Sequence, residues 1–186
     1  MRDAKDEFYE EVIIAGFGGQ GIILAGKLLA QTAMKAGKEV TFMPAYGAEV
    51  RGGTSNCMVT IANTPIASPL VGRPDSLIAM NKASLNKFAP RIKRGGLLIM
   101  NSSLIDNKPN LDGVNVLAVP ADELAVQLGS IKAANMVVLG AYLKKRQIFS
   151  PDSAADCLAE VLAQRYHETI PLNAKALRAG AEFASK

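Results

Sequence analysis

The sequence predicts an α/β domain of three layers with a mostly parallel sheet, followed by a helical C-terminal third. Three observations carry that expectation. Short runs of Val, Ile, Leu and Ala alternate with helix-spaced segments between residues 12 and 119. The first run ends in a glycine-rich turn, Gly16-Phe17-Gly18-Gly19-Gln20-Gly21. Beyond Pro120 the patterning is helical alone. Layers of helix on a parallel sheet are the arrangement that such alternation buries best.

Val12-Ile13-Ile14-Ala15 reads as a buried parallel strand. From Gln20 to Ala36 the residues Ile22, Ile23, Leu24, Leu28, Leu29, Ala33 and Met34 fall at helical spacing, and Gly37 ends that helix. Val40 to Met43 is a second strand, so the chain opens as a βαβ unit. After the glycine-rich stretch from Pro44 to Thr54, Asn56 to Ile61 reads as a strand, and Ile66 to Leu70 as a short return strand. Leu77 to Met80, Leu97 to Met100 and Val114 to Val119 are further strands. A helix from Ala83 to Ile92 separates the first two, with Pro90 out of place near its end. Pro120 opens a helix, Asn135 caps another that runs to Arg146, and Ser150-Pro151-Asp152 caps a third. A last helix begins near Asn173.

The 186 residues suit one domain, 1–186. A hydrophobic fraction of 49% against 20% charged supports a core without disulfides or metal. Aromatics are only 5% and Trp is absent, so that core is aliphatic. The net charge of +4 is spread along the chain apart from Arg91-Ile92-Lys93-Arg94 and Lys144-Lys145-Arg146. Both clusters read as helix-end charges that suit the dipole, which argues against a nucleic-acid partner. Cys57 and Cys157 stand a hundred positions apart and read as free buried thiols, so no iron–sulfur or zinc site is expected in this chain. The N-terminal residues show no apolar signal core, and no run approaches the roughly 20 apolar residues of a membrane span. A soluble cytoplasmic protein is the expectation.

Gly16, Gly18 and Gly21 fit G-x-G-x-x-G. In that pattern the glycines allow a tight turn, a close phosphate and close helix packing. A nicotinamide–ribose site would place an acid near the end of the second strand. Here that stretch is Val40-Thr41-Phe42-Met43-Pro44, and Glu39 sits at the wrong end. A ligand-free packing turn therefore stands beside the nucleotide reading. Gln20 either presents an amide at the mouth of the site or simply starts the helix.

Tyr46-Gly47-Ala48-Glu49-Val50-Arg51-Gly52-Gly53-Thr54 follows the second strand and should lie beside the first turn. Arg51 with two glycines can hold a phosphate or carboxylate; equally, it can pair with Glu49 or dock on a partner. His167, the only histidine, reads as surface structure and Lys27 as a solvated helix position. No catalytic set and no metal site is assigned.

Together, the turn and the second loop resemble the gamma subunit of the 2-oxoacid:ferredoxin oxidoreductases, which shows G-x-G-G-Q-G and then Y-G-P-E-x-R-G-G. The likeness continues through Asp75 to Met80, Gly95 to Ile99 and Asn135 to Ala141, and spans nearly the whole chain. Ala48 departs from the family proline, which would stiffen the loop. The resemblance implies a Rossmann-like domain within an enzyme that converts a 2-oxoacid to acyl-coenzyme A and reduces ferredoxin, of the 2-oxoglutarate or branched-chain type. It implies thiamine diphosphate, Mg²⁺ and iron–sulfur clusters in alpha, beta and ferredoxin-like delta partners, and a non-catalytic role for this chain. Gly16, Gly18, Gly19, Gln20, Gly21, Arg51, Gly52, Gly53 and Thr54 would then face coenzyme A or a neighbouring subunit.

Overall fold

The computed structural model describes residues 8–46 and 54–186. Six strands form one sheet in the order β2-β3-β1-β4-β5-β6. They are β1 (Tyr9–Phe17), β2 (Glu39–Tyr46), β3 (Thr54–Ala62), β4 (Ser76–Ala79), β5 (Leu97–Asn101) and β6 (Asn115–Val119). The helices are α1 (Ile22–Lys35), α2 (Lys82–Phe88), α3 (Ala121–Gln127), α4 (Ala134–Arg146), α5 (Pro151–Ala155), α6 (Leu158–Val161) and α7 (Ile170–Phe183).

β1 holds the sheet together because its middle is apolar on both faces. Val12 and Ile14 join a core with α1, α4 and α7, while Ile13 and Ala15 join a second core with α2. β4, β5 and β6 extend the sheet in parallel from β1. The other half departs from the expected order. β3 runs antiparallel between β1 and β2, so the opening βαβ unit is split by an inserted strand. Cys57, Val59 and Ile61 explain its position, since all three are buried in the core that α1 closes.

Other boundaries moved for local reasons. Residues 66–70 form no strand. Pro90 ends α2 at Phe88 and turns the next residues into a 3-10 helix over Ala89–Arg91. The helix capped by Ser150 breaks into α5 and α6, and α7 starts at Ile170 with Pro171 in its first turn. Asn135 is not a cap: it lies inside α4, one residue past its start. In the basic cluster at 91–94, Arg91 closes the 3-10 helix, and the cations of the cluster take specific partners. Arg91 donates to the carbonyls of Val71 and Gly72, Lys93 pairs with Glu11 and Asp75, and Arg94 pairs with Asp112.

α4 is apolar on every side because it lies between the sheet and α7; each residue from Ala134 to Leu143 is buried. α4 and α7 meet backbone to backbone. A Cβ at Gly140 would stand 1.9 Å from the Leu177 carbonyl oxygen, and one at Gly180 would stand 1.8 Å from that of Val137. The far end of α4 is fixed by charge. The Glu10 carboxylate, 1% exposed, accepts from Ser76 Oγ at 2.7 Å, Tyr142 OH at 3.3 Å and Arg146 Nε at 2.9 Å. A second guanidinium bond from Arg146 completes the pair. Burial, with the Glu10 charge beside it, pushes the Tyr142 hydroxyl well above its ordinary range.

Candidate functional site

The site sits at the C-terminal ends of β1, β4 and β5, where an open sheet leaves its crevice. The connections change side between β1 and β4, and there the glycine turn leaves the sheet. Its glycines divide into two kinds. At Gly16, buried near the end of β1, a Cβ would lie 2.6 Å from Gln20 Oε1 and 2.6 Å from Ile22 Cδ1. At Gly21, with φ +71°, a Cβ would lie 2.3 Å from Asn135 Nδ2. Packing within the protein accounts for both residues. Gly18 and Gly19 instead face outward. Gly19 takes φ +100°, and nothing lies within 4 Å of where its Cβ would be.

Gln20 is half-buried, and its side chain turns inward. Its Oε1 accepts from the Phe17 amide at 2.7 Å and from Asn81 Nδ2 at 3.1 Å, while its Nε2 donates to the Met80 carbonyl at 3.3 Å. One side chain thus ties the turn to the end of β4. Asn81, 4% exposed, also caps α2 by accepting from the Ser84 amide at 2.8 Å. Asn135, deep on α4, donates to the Gly21 carbonyl at 3.0 Å and so holds the start of α1.

Beside these residues lies a crevice of about 290 Å³, bounded by Gly19, Gln20, Met80, Asp122, Lys132 and Asn135. Leu104 and Ile131 line it too, and both are exposed at 45% and 56%. Its polar residues are Gln20, Asp122, Lys132 and Asn135, and Asp122 is held in place from the end of β5. Asn101, fully buried, donates to Asp122 Oδ1 at 2.8 Å and accepts from the Ala121 amide at 3.2 Å. Ser103 Oγ accepts from the Asp122 amide at 3.0 Å and donates to Glu123, which holds the Glu123 carboxyl below its usual range. The crevice therefore offers glycine backbone, amide side chains, one cation, one carboxylate and an apolar rim.

Of the second loop, Thr54 is placed at the same edge. Thr54, exposed at the start of β3, stands opposite Phe17 in the β1–β3 ladder. Arg51, Gly52 and Gly53 lie outside the described residues. Asn81, Asn101 and Asp122 were missed from the sequence. Asn81 had a signal, since Asn81-Lys82-Ala83-Ser84 is an N-cap pattern; Asn101 and Asp122 sit at element ends without one.

The remaining candidates lie elsewhere. His167 faces the Leu162 carbonyl at 3.1 Å, within a 3-10 helix over Gln164–Thr169. Lys27 is exposed on α1. Cys57 and Cys157 are free and buried. Burial pushes the Cys57 thiol up to about 12, and its Sγ points at the Ile22 carbonyl. Among the described residues no group of three or more His, Cys, Asp and Glu is placed to hold a metal ion, and no helix is long and apolar enough to cross a membrane.

Residues 11–183 match the family model described as pyruvate ferredoxin/flavodoxin oxidoreductase. A ketoisovalerate oxidoreductase subunit of Methanothermobacter marburgensis is 39% identical over 184 residues, which cover 97% of this chain and 38% of that protein. The chain thus spans little more than a third of that relative. A 2-oxoglutarate synthase subunit of Methanocaldococcus jannaschii is 34% identical over 157 residues, 82% of this chain and 83% of the relative. Among solved structures, the gamma subunit of a keto/oxoacid ferredoxin oxidoreductase from Geobacter sulfurreducens superposes with a TM-score of 0.80 at 30% identity. That superposition covers 95% of this chain and 98% of the other.

Proposed function

The chain belongs to the pyruvate ferredoxin/flavodoxin oxidoreductase family, and from that premise we propose that it is the gamma subunit of a cytoplasmic, hetero-oligomeric 2-oxoacid:ferredoxin oxidoreductase. The observation that carries this reading is the end-to-end correspondence with a separate gamma subunit, covering 95% of one chain and 98% of the other. A free-standing nucleotide-binding protein is the weaker alternative. β3 separates β1 from β2, and β2 carries no acid at its end to read a ribose.

The assembly would oxidatively decarboxylate a 2-oxoacid, 2-oxoglutarate or a branched-chain acid, pass the acyl group to coenzyme A and the electrons to ferredoxin. Thiamine diphosphate, Mg²⁺ and the iron–sulfur clusters belong in this reading to the alpha, beta and delta partners. Among the described residues, no group of three or more His, Cys, Asp and Glu is placed to hold a cluster or a metal ion. Cys57 is held as a neutral thiol under α1, the reverse of what a cluster ligand needs.

Residues 1–186 then act as one gamma-type domain whose crevice lies near coenzyme A or a neighbouring subunit. Gly16 and Gly21 shape the turn, and Gln20 locks it. Gly18 and Gly19 leave backbone exposed for an anion, with Arg51, Gly52, Gly53 and Thr54 as the companion loop. The test is purification of the tagged chain from cells that express its neighbours. Thiamine- and cluster-bearing subunits should accompany it in fixed ratio; a chain that purifies alone under gentle conditions counts against the reading.

A further inference from the structure

The two edges of the sheet are protected very differently. β2 carries Pro44 and begins at Glu39, directly after Lys38, and such residues blunt an edge. β6 reads Asn115-Val116-Leu117-Ala118-Val119, with no charge and no proline. Its central residues are only partly buried. In a parallel ladder, alternate residues direct both backbone groups to the same neighbour. The Asn115 amide donates to the Gly96 carbonyl at 2.9 Å, and the Val119 carbonyl accepts from Ser102 at 2.8 Å. Asn115, Leu117 and Val119 thus face β5, so Val116 and Ala118 turn their N–H and C=O groups outward. No described residue bonds to those outward groups.

Alongside that edge runs a groove of about 350 Å³, lined by Leu97, Asn115, Val116, Leu117, Lys145 and Arg146. Its apolar residues come from the sheet, and its charges are two cations without a carboxylate among the lining residues. Lys145 is exposed and forms no ion pair among the described residues. Arg146 uses Nε and Nη2 on Glu10, which leaves Nη1 free of described partners.

We propose that β6 takes up an extended segment of a partner polypeptide as a seventh strand, with an apolar side chain over Leu117 and an Asp or Glu side chain against Lys145 and Arg146. A row of outward backbone groups calls for extended backbone, and the two cations call for a carboxylate beside it. Strand addition also removes the liability of an uncharged edge. The inference rests on the reading of the chain as one subunit of a larger assembly.

Hydrogen exchange on the full chain, alone and within the assembly it purifies with, tests it. The amides of Val116 and Ala118 should exchange on the order of tenfold or more slowly in the assembly. Val116→Pro removes one outward donor while leaving the ladder to β5; it should abolish partner retention, with the melting temperature of the chain alone nearly unchanged. Should that variant not fold, Lys145→Glu at an exposed position should weaken retention roughly tenfold or more. Equal exchange in both states overturns the proposal, as does full retention by both variants. Slowed exchange that rises with the concentration of the chain alone also overturns it, since β6 then pairs with a second copy. Protection of these amides by partners bearing no thiamine diphosphate or clusters upholds strand addition and sinks the gamma-subunit reading. Unprotected amides beside partners that do bear thiamine diphosphate and clusters overturn strand addition and leave the gamma-subunit reading standing.

Discussion

Asn81 and Gln20 meet across the boundary between β1 and β4, where Asn81 Nδ2 donates to Gln20 Oε1 at 3.1 Å. The same oxygen accepts from the Phe17 amide, so one of the donors of the glycine turn is already used by the chain. Gln20→Ala would leave both donors without this acceptor, in a partly buried place. Stability should fall by about 1–3 kcal/mol, read as a lower urea midpoint with the slope unchanged. An unaltered midpoint would show that water replaces the glutamine fully.

The glycines should respond according to what surrounds them. Gly140→Ala and Gly180→Ala each drive a methyl into backbone of the opposing helix, and backbone cannot rotate aside. Each should lower stability by about 3 kcal/mol or more, or prevent folding. Gly19→Ala meets open space and only a strained φ, so it should lose about 1–2 kcal/mol. Thermal melts of the three variants give the ranking; a Gly19 variant worse than the other two would contradict it.

Burial raises the Cys57 thiol to about 12, from an ordinary value of 9.0. The folded state therefore holds its proton longer than the unfolded chain. The resulting stability is fully present below pH 9 and is lost as pH rises toward 12. From this group, stability should fall by up to about 1.4 kcal/mol per pH unit across that window. Denaturation series at rising pH should show this extra slope in the native chain and lose it in Cys57→Ala. At pH 8 a thiol reagent should leave Cys57 unlabelled until the chain unfolds.

In the assembled enzyme, Arg51→Ala should raise KM for coenzyme A about tenfold to a hundredfold, the loss of one charge-assisted contact of ~1.5–3 kcal/mol. Assembly and kcat should hold. Loss of assembly would instead assign Arg51 to a subunit interface.

Much of this was legible in the sequence because it depends on short-range pattern. The apolar run at Val12–Ala15, the glycines after it and the Ser150-Pro151 cap each state their local structure. The place of β3 was not legible. Its alternation shows a strand, but insertion between β1 and β2 is decided by burial of Cys57, Val59 and Ile61 under α1. The same limit hid the roles of Gln20 and Asn135. Gln20 reaches residues 60 and 61 positions away, and Asn135 reaches back 114 positions to Gly21. Local spacing carries no record of such partners, so Asn135 resembled a cap when it is a brace between α4 and the glycine turn.

The most direct test of the account is turnover. The purified chain and the assembly it co-purifies with are each given 2-oxoglutarate or a branched-chain 2-oxoacid, coenzyme A and oxidised ferredoxin, and ferredoxin reduction is followed. The assembly should reduce ferredoxin in a reaction dependent on both the 2-oxoacid and coenzyme A, and the chain alone should be silent. Turnover by the chain alone, or an assembly inactive toward every 2-oxoacid tried, would contradict the gamma-subunit assignment.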